Sequence, residues 1–572
     1  MKANIFYEIS YQYPNHRFID IEITYSPNRD VLESIFQIAA WRPGRYELQH
    51  YAKNIRKLTA TDNNGKILAI EKTDRNTWKV HHDKEIEIKI KYQYFAMQMD
   101  AGGCWLDDQQ LYLNFIACLL YVKENLQKPC ELKLNLPTDY KIACGLSSAN
   151  GKIIANSFYQ LVDSPMMASV TMELVTYFVN QVPFHCWLMG NNNLDKAKLI
   201  DDFEKFSLAQ FAIFKTFPFK EYHFLIQCLP YPYYHGVEHV NSTVIVLGPA
   251  NSLHEAPMYD ELIGIASHEL FHAWNACTIK PQELLPYNFS QEQYFETGYV
   301  LEGFTTYYGD LVLAKSGYFD TQQYLNQIND TLKKHFQNFA NENLSLAASS
   351  LDLWIDGYSS GIPDRKVSIY GKGCIVACVI DLTIRKQTRH EKSLDDVMEL
   401  LWNKFGKIGI GYSGKDIVDI INVVADADIN EILAECVHGI TDLKIILSNL
   451  VDEFGLNLVR KTPTDTSQSK YGMKLGLHSN GFVVDQIAPN SPADQYLSRG
   501  DVVMNVQGWN LETFEQHLND SAFANITVWR DNRQHLIILQ PDGKTYFQWY
   551  EMEVNKIANK EQLIARQKWL HC

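Results

Sequence analysis

Two histidines separated by one helical turn are the residues of this chain whose spacing most directly indicates catalysis. They lie in the segment SHELFH, residues 267–272. Residues four positions apart lie on one face of a helix, so His268 and His272 can both reach one Zn²⁺ ion. Glu269, one position after the first histidine, can accept a proton from the water that attacks a substrate. These are the groups that metal-assisted hydrolysis requires.

A carboxylate in a second apolar helix is the candidate for the third metal ligand. Glu302 follows Leu301 and lies near Phe304, and a carboxylate buried among such side chains is costly unless it is paired or binds a metal. Glu292 and Glu296 compete for this role, but their segment QEQYFET is more polar and suits solvated carboxylates. Three protein ligands leave the fourth position of zinc open for water, as in catalytic sites. The sequence therefore predicts one zinc ion, held by the two histidines and Glu302.

Helices must position these groups. From about residue 190 to 460 the apolar spacing is helical, and the segments DELIGIASHELFHAWNA and GYVLEGFTTYYGDLVLAKSG carry the candidate ligands. The strand-like segments HFLIQCLPY and STVIVLG precede the first of them. We therefore expect a mainly helical catalytic domain with a small sheet over residues 171–462.

The first part of the chain is predicted to be β-rich. Up to about residue 170, short runs such as FIDIEITY and EIEIKIKYQYF are separated by turn signals such as PNRD and DNNG. This pattern predicts an N-terminal β-sandwich domain over residues 1–170. Its loop WRPGRY, residues 41–46, is either a local turn, which we favour, or a contact with another domain.

The C-terminal part of the chain is predicted to form a separate module and a tail. The polar segment at 463–470 is suited to a linker, and a β-rich module follows within residues 463–546. The final segment, 547–572, has helical spacing and mixed charge. We expect several of its apolar side chains to pack against the rest of the protein: Ile557, Leu563, Ile564 and Trp569. The whole chain is thus expected to be a multidomain α+β protein.

Composition and charge restrict the functional classes. The chain has 572 residues, of which 46% are hydrophobic and 21% charged, as expected for a folded protein of several domains. A formal net charge of -15 disfavours nucleic acid and anionic membranes as partners, because both attract basic surfaces. Eleven scattered cysteines are typical of reduced, buried thiols. No signal peptide is apparent and no apolar run approaches the roughly 20 residues of a membrane span, so we expect a soluble, cytoplasmic protein.

Four motifs together resemble those of the M61 family of glycyl aminopeptidases, which are relatives of the aminopeptidase N group. The segment HELFHAWN at 268–275 resembles the zinc helix of the family, and EGFTTYY at 302–308 resembles its third-ligand helix. The segment GVEH at 236–239 is similar to the Gly-x-x-Glu strand motif of these enzymes, and YGKG at 370–373 resembles their Tyr-x-Lys-Gly segment. The resemblance extends over most of the chain.

The resemblance implies a role for the remaining site residues. Glu238, in the same motif as Gly236, would hold the free α-amino group of a substrate, and Tyr370 would donate a hydrogen bond to the oxyanion. It also implies a thermolysin-like catalytic domain and a preference for a small N-terminal residue such as Gly or Ala. Alternatives remain open for two of these residues: Glu238 is otherwise an exposed glutamate beside a strand, and Tyr370 is one of 32 tyrosines.

The module after residue 470 resembles a bacterial-type PDZ domain. The resemblance is carried by the segments LGL at 475–477, GFVV at 481–484, NSPA at 490–493 and RGD at 499–501. The chain departs from the pattern at 496–498, where such modules often carry Ala-Gly-Leu and this chain has Tyr-Leu-Ser.

The PDZ resemblance implies a second binding site. PDZ grooves bind an extended peptide as an added strand. The implied peptide-binding residues are Leu475, Gly476 and Leu477, and the implied partner is a peptide or a protein C-terminus.

The sequence therefore predicts a zinc metalloaminopeptidase that removes N-terminal residues from peptides with a free N-terminus. Two alternatives remain. The first is a zinc endopeptidase that recruits protein substrates through the PDZ-like module. The second is a peptide-binding protein in which the peptidase fold is inert and that module carries the function. Intact residues at every proposed catalytic position favour an enzyme over the second alternative.

Overall fold

A computed structural model describes residues 5–28, 30–149, 151–359, 361–504, 510–520 and 523–571 of the chain. Within these residues the protein has a sheet-rich N-terminal region, a helical middle region with its own sheet, and a smaller C-terminal module. No helix in the described ranges is both long enough and apolar enough to cross a membrane.

Alternating burial builds the N-terminal region, because every second side chain of its long strands faces the core. Its described strands are β1 Ile5–Ser10, β2 Phe18–Tyr25, β3 Glu33–Gln37, β4 Ile55–Asp62, β5 Ile70–Asp74, β6 Thr77–His81, β7 Ile88–Phe95, β8 Cys104–Leu106, β9 Gln110–Leu113, β10 Tyr121–Val122, β11 Cys130–Leu134, β12 Lys141–Cys144, β13 Ser148–Ala149, β14 Lys152–Ala155 and β15 Met166–Ser169. The short helices α1 Phe115–Cys118 and α2 Phe158–Val162 lie among them.

These strands form several sheets around one core. A seven-stranded sheet has the order β13-β14-β11-β1-β2-β7-β4, and two four-stranded sheets have the orders β10-β3-β6-β5 and β12-β15-β9-β8. Buried side chains from all of them belong to one hydrophobic cluster. The region is therefore sheet-rich, as the strand pattern predicts.

The middle region contains a five-stranded sheet with one edge near the candidate site. Its strands are β16 Glu173–Val179, β17 Val182–Met189, β18 Tyr222–Cys228, β19 Tyr233–His239 and β20 Ser242–Gly248, in the order β16-β17-β18-β20-β19. Among the described strands, the edge strand β19 pairs with β20 alone. Its other edge is therefore open to an extended chain.

The central strand β18 is buried on both faces, so the sheet packs against one layer on each side. Phe224 and Ile226 belong to the main core with the helices, whereas Leu225 packs with Tyr112 and Met167 of the N-terminal region. Continuous apolar runs are typical of strands covered on both faces. The N-terminal region and the helices therefore cover opposite faces of one sheet.

Helices form the rest of the middle region. They are α3 Lys196–Phe214, α4 Met258–Phe271, α5 Phe304–Lys315, α6 Thr321–Phe336, α7 Leu346–Leu351, α8 Leu353–Asp356, α9 Gly371–Gln387, α10 Leu394–Lys404, α11 Gly414–Ala425, α12 Asn430–Leu433 and α13 Leu443–Val451. Capping boxes at Asp320, Ser393 and Ser413 begin α6, α10 and α11. Helix α5 follows directly on a π-helical turn, Tyr299–Gly303. The helices and the small sheet agree with the sequence pattern.

The C-terminal module is a five-stranded antiparallel sheet with two helices. In chain order the elements from residue 456 onward are β21 Leu456–Lys461, α14 Thr466–Ser469, β22 Met473–His478, β23 Gly481–Ile487, α15 Pro492–Tyr496, β24 Val502–Met504, α16 Leu511–Asp520, β25 Ala524–Arg530, β26 Arg533–Leu539, β27 Trp549–Val554 and α17 Lys560–Leu570. The sheet has the order β22-β23-β24-β25-β26, and Phe514 and Leu518 of α16 pack into its core. Strand β22 is an edge strand.

Two segments of this part differ from the prediction. The predicted linker at 463–470 contains α14, where the Ser467 backbone N–H donates to Glu515 Oε2 at 2.9 Å. The predicted helical tail begins with strand β27, which pairs with β21 before α17 starts. Local patterns do not reveal either feature, because each depends on a partner far along the chain.

One residue anchors the C-terminal helix α17. Trp569 is fully buried, and its indole N–H donates to the Tyr307 hydroxyl at 2.8 Å; Tyr307 in turn donates to Asp381 Oδ2 at 2.6 Å. The expectation for the other apolar residues of the tail is wrong, because the helix contacts the body with one face only and these side chains are exposed: Ile557, Leu563 and Ile564.

We expect Trp569→Ala to lower the free energy of unfolding of the middle region by about 3–5 kcal/mol, because it removes a buried aromatic side chain and the donor to Tyr307. Leu563→Ala on the same helix is the matched control, since Leu563 is 46% exposed. It should change the free energy by about 0.5 kcal/mol or less. Urea unfolding followed by circular dichroism measures both, and equal effects would contradict the anchoring role.

Candidate active site

Helix α4 brings the two histidines together. Its buried residues include Leu262, Ile265 and Leu270, which fix the helix in the core. At its C-terminal end, His268 Nε2 and His272 Nε2 lie 3.1 Å apart, with the rings nearly perpendicular. The one-turn spacing in the sequence therefore gives the convergence that the proposed chemistry needs.

The π-helical turn before α5 brings Glu302 to the same point. Glu302 is 2% exposed, and its Oε2 lies 3.4 Å from His272 Nε2. His268, His272 and Glu302 each offer one ligand atom, and these atoms lie within 4.8 Å of one another. Two imidazole nitrogens and one carboxylate oxygen are the donor set of many catalytic zinc sites. The competing glutamates, Glu292 and Glu296, join no such group among the described residues.

Asn275 holds His272 in place. Its carbonyl oxygen lies 3.0 Å from His272 Nδ1, and its side-chain amide donates to the Val300 carbonyl at 2.7 Å and to Thr305 Oγ1 at 3.0 Å. A hydrogen bond at Nδ1 leaves Nε2 as the ligand atom and fixes the ring. Asn275 thereby links the histidine helix to the segment that carries Glu302. Its place in the HELFHAWN segment was the signal for this role.

Glu269 is buried beside the ligand group, on the side of strand β19. Thr243 Oγ1 donates to the Val237 carbonyl at 2.9 Å and lies 3.5 Å from Glu269 Oε2. A Cβ at Gly236 would lie 2.1 Å from Glu269 Oε1, so the strand approaches this carboxylate as closely as only glycine allows. Burial raises the pKa of Glu269 to about 8, with Glu238 and Glu302 adding to the rise and His272 opposing it.

Glu238, on the edge strand β19, also points to this group. Glu238, Glu269 and His272 offer polar atoms within 4.8 Å of one another. Burial raises the pKa of Glu238, and the nearby Glu302 carboxylate adds to the rise although His272 lowers it. The alternative of an exposed glutamate beside a strand does not fit this half-buried position.

The loop WRPGRY of the N-terminal region reaches the site. A Cβ at Gly44, which has a φ of +73°, would lie 2.5 Å from Glu238 Oε2. The Trp41 indole N–H donates to the Asn288 carbonyl at 2.8 Å, and the Trp41 ring packs edge-on against Trp354. Both interpretations hold: Pro43 and Gly44 form a local turn closed by the hydrogen bond from the Arg45 N–H to the Arg42 carbonyl, and the loop also contacts the middle region, because Trp41 is buried there.

Tyr370 precedes the first residue of α9 and faces the same cavity. Burial raises its pKa well above the ordinary value, so its hydroxyl stays protonated and can donate a hydrogen bond. It is hydrogen-bonded to Tyr358, whose hydroxyl also donates to the Gly44 carbonyl at 3.4 Å. Sequence reasoning missed both Tyr358 and Gly44, since neither lies in a motif that points to this site.

A cavity of about 630 Å³ joins these groups. Gly44 and Arg45 of the N-terminal region line it, together with residues from β19, α4, α5 and the start of α9: Gly236, His268, Glu269, Thr306 and Tyr370. The structure thus brings together all the predicted site residues of the middle region. The predicted residues of the C-terminal module, Leu475, Gly476 and Leu477, lie on β22 and do not line this cavity.

A second group with metal-binding side chains lies away from the cavity: His185, Glu221 and His223. The Trp187 indole N–H donates to His223 Nδ1 at 3.2 Å, so this nitrogen is an acceptor. The proton of the neutral ring is then on Nε2, which faces Glu221 at 3.5 Å. Metal binding at Nε2 would require this proton to move to Nδ1, where the Trp187 N–H would then lose its acceptor.

Two family models match the sequence. Residues 6–170 match the M61 peptidase N-terminal domain, and residues 261–376 match the M61 glycyl aminopeptidase domain. The chain belongs to the M61 peptidase family. The second match contains the candidate metal ligands, Glu269 and Tyr370, whereas Glu238 lies outside it. No curated protein matches the sequence significantly.

A solved structure is similar to this protein over the whole chain. An aminopeptidase N family protein from Idiomarina loihiensis has a TM-score of 0.90 at 25% identity, covering 99% of this chain and 100% of that chain. An M1 zinc metallopeptidase from Deinococcus radiodurans has a TM-score of 0.49 at 12% identity, covering 77% of this chain and 94% of that chain. A mutant of that enzyme bound to a Tyr-Ser-Ala substrate has a TM-score of 0.48 at 13% identity and the same coverage.

We expect Gly236→Ala to reduce the kcat of this M61 peptidase by about 10–100-fold, because the new methyl group displaces the Glu269 carboxylate. Metal content should not change, since the methyl group meets Glu269 and not a ligand. Gly414→Ala is the control, as its Cβ would meet no neighbouring atom closer than 3.7 Å. Steady-state kinetics and atomic absorption measure the two quantities, and full activity in Gly236→Ala would contradict this role.

Zinc binding to the metal-free protein should release at least about one proton at pH 7. Burial lowers the pKa of His272, but Glu302, with Glu238 and Glu269, raises it to about 10. The ring is therefore protonated at pH 7 and must lose that proton to bind zinc, whereas burial lowers the pKa of His268, which is already neutral. Zinc affinity should accordingly rise with pH. Calorimetric titrations in two buffers of different ionisation heat count the protons, and equal heats would contradict the assignment.

Proposed function

We propose that this M61 peptidase is a zinc aminopeptidase that removes single residues from peptides with a free N-terminus. One observation carries the proposal: polar atoms of Glu238, Glu269 and His272 lie within 4.8 Å of one another. A carboxylate at this distance from the reaction centre can hold an α-ammonium group and leaves room for one residue before the scissile bond. Family membership supports the peptidase assignment.

The donor set of His268, His272 and Glu302 fits one zinc ion. The Nε2 atoms of both histidines and a carboxylate oxygen of Glu302 converge. The other ring nitrogen of His272, Nδ1, is hydrogen-bonded to the Asn275 carbonyl. A zinc ion bound by these residues would polarise the scissile carbonyl group and lower the pKa of water.

Glu269 moves the proton during hydrolysis. In its carboxylate form it takes a proton from the attacking water as the carbon–oxygen bond forms, and it then passes the proton to the departing amine as the carbon–nitrogen bond breaks. Burial raises its pKa to about 8 in the metal-free protein, and a neighbouring cation such as zinc favours the carboxylate form that accepts the proton. Thr243 and the close approach of Gly236 restrict where the carboxylate can lie.

Tyr370 stabilises the charge that develops on the carbonyl oxygen. Its hydroxyl stays protonated and lines the cavity, so it can donate a hydrogen bond to this oxygen. Gly44 packs against Glu238 and Arg45 lines the same cavity, so the N-terminal loop limits the space around the first residue of a substrate. This supports a preference for a small N-terminal residue such as Gly or Ala.

We propose further that the C-terminal module binds peptides as a PDZ-like domain. The support is the position of β22, an edge strand that carries Leu475, Gly476 and Leu477. Leu477 is 84% exposed, and Gly476 is packed against Asp485. An extended peptide or protein C-terminus can add to the free edge of β22 through main-chain hydrogen bonds.

A reducing compartment such as the cytoplasm suits the cysteines of this chain. Ten cysteines in the described residues are free thiols, and nine of these are buried. Proteins of oxidising compartments tend to pair their cysteines. We therefore propose a cytoplasmic location.

Hydrolysis of aminoacyl anilides by the zinc-loaded protein tests the function. We expect release of Gly and Ala from free N-termini, no cleavage of N-acetylated peptides, and loss of activity with a chelator. Glu269→Gln should lower kcat by about 10²–10⁴-fold, because the general base is lost. Glu283→Gln, a change of the same type at an exposed residue, should keep full activity.

Glu238→Gln separates the aminopeptidase from its enzymatic alternative. It should lower kcat/KM for free N-termini by about 100-fold, because the amide cannot pair with the ammonium group. Cleavage of N-acetylated peptides by the unaltered protein would indicate an endopeptidase. Absence of any cleavage by zinc-loaded protein would favour a binding role centred on the C-terminal module.

A further inference from the structure

A second cavity lies beside the active site, where the N-terminal region meets the middle region. It has a volume of about 480 Å³. Arg42 and Pro43 line it, while the next residues of the same loop line the active-site cavity. His239 lines it as well and follows Glu238 directly along β19. The two cavities are therefore separated by the loop and strand that surround the proposed amino-group anchor.

Two buried cations line this cavity, and the Arg42 guanidinium also packs against Gly102. Arg42 is 2% exposed and Lys280 is 8% exposed, and neither forms an ion pair with a carboxylate of the described residues. The Arg42 guanidinium donates to the Pro43 carbonyl at 3.1 Å, and Lys280 Nζ donates to the Tyr287 hydroxyl at 3.1 Å. Both partners are neutral. Buried charges without a counter-charge are costly, so the cavity favours an anion.

The acidic group of the cavity offsets only part of these charges. Asp163 is the one carboxylate among the described lining residues; it pairs with His239 at 2.9 Å and also favours the charged form of Lys280. His239 Nε2, on the far side of that ring, is buried and has no hydrogen-bond partner in the described structure. The cavity therefore keeps an excess of positive charge and a free polar nitrogen.

Asn114 is an independent sign of a ligand. This side chain lines the cavity and is 0% exposed, and both its amide nitrogen and its amide oxygen have no hydrogen-bond partner in the described structure. Buried amides are almost always hydrogen-bonded, because an unpaired polar group away from water costs about 1–3 kcal/mol. A donor and an acceptor are thus available to a bound molecule.

The remaining walls are apolar and largely aromatic. Tyr159, Tyr287 and Phe289 line one side, and Ile116 and Val162 contribute aliphatic surface. The volume lies in the range of small-molecule sites, which combine apolar walls with a few polar groups. These walls suit a molecule with a flat or branched hydrocarbon body.

We infer that this cavity binds a small organic carboxylate. Its carboxylate faces Arg42 and Lys280 and accepts a hydrogen bond from the Asn114 amide, and its apolar body lies against the aromatic walls. The site is distinct from the substrate site, because none of these residues is a candidate metal ligand or a proposed catalytic residue.

Benzoate is the probe, and the full-length zinc-loaded protein is titrated by calorimetry with its active site blocked by an excess of a peptide hydroxamate. We expect benzoate to bind with a Kd of about 1 mM or below. Lys280→Met should weaken binding at least about tenfold, because it removes one of the two cations. Lys407→Met, the same change at an exposed lysine outside the cavity, should leave it unchanged. Benzyl alcohol has the aromatic ring of benzoate but no carboxylate charge. It should bind at least about tenfold more weakly than benzoate.

Asn114→Leu keeps both cations, so it tests carboxylate binding in this cavity if Lys280→Met does not fold. It should raise the Tm, since it removes two unpaired polar atoms, and weaken benzoate binding at least about threefold. Several results would overturn the inference: no benzoate binding with the active site blocked, equal affinity in the two lysine variants, unchanged affinity in Asn114→Leu, or equal binding of benzyl alcohol. Binding is measured without turnover, so the outcome is independent of the proposed peptidase activity.

Discussion

The contact between helix α4 and the π-helical turn before α5 is the constraint on which this site depends. His272 and Glu302 meet there at 3.4 Å, and both are buried. A Cβ at Gly303 would lie 2.5 Å from the Cα of Gly373, so the same turn is in backbone contact with the start of α9. That contact sets the position of Tyr370 relative to the ligands. Two glycines thus allow three helices to converge on one point.

Charge balance explains why metal and substrate recognition belong together. Glu238, Glu269 and Glu302 lie in one water-poor site, and burial raises the pKa of the first two. Three carboxylates this close repel one another unless cations are present. In the proposed function, a divalent metal ion at the histidines and an α-ammonium group at Glu238 supply that charge. The proposed substrate therefore completes the electrostatics of the site.

The N-terminal region is part of the active site as well as a cover for the sheet. Gly44 approaches Glu238 closely, and Trp41 is held by Asn288 and Trp354 of the middle region. The same loop carries Arg42 into the neighbouring cavity. A molecule bound there lies against the segment that also restricts the first residue of a substrate. A change in the position of this loop therefore alters the walls of both cavities.

The sequence alone determined the features that lie within a few turns of chain. The spacing of His268 and His272 places both rings on one helix face in any fold, and the apolar neighbours of Glu302 mark it as a buried carboxylate. Alternating burial in the first 170 residues and helical spacing in the middle identified the sheet-rich and helical regions. The M61 motifs followed from the same local segments.

Tertiary structure alone decided which distant segments meet. Gly44, Tyr358 and Asn114 are conventional turn, loop and strand-end residues in the sequence, and their positions at two cavities depend on how the layers pack. The strand β27 and the short helix α14 exist through partners about 50 to 100 residues away. Local spacing fixes geometry over one or two helical turns, whereas a contact between segments hundreds of residues apart depends on the burial of whole surfaces.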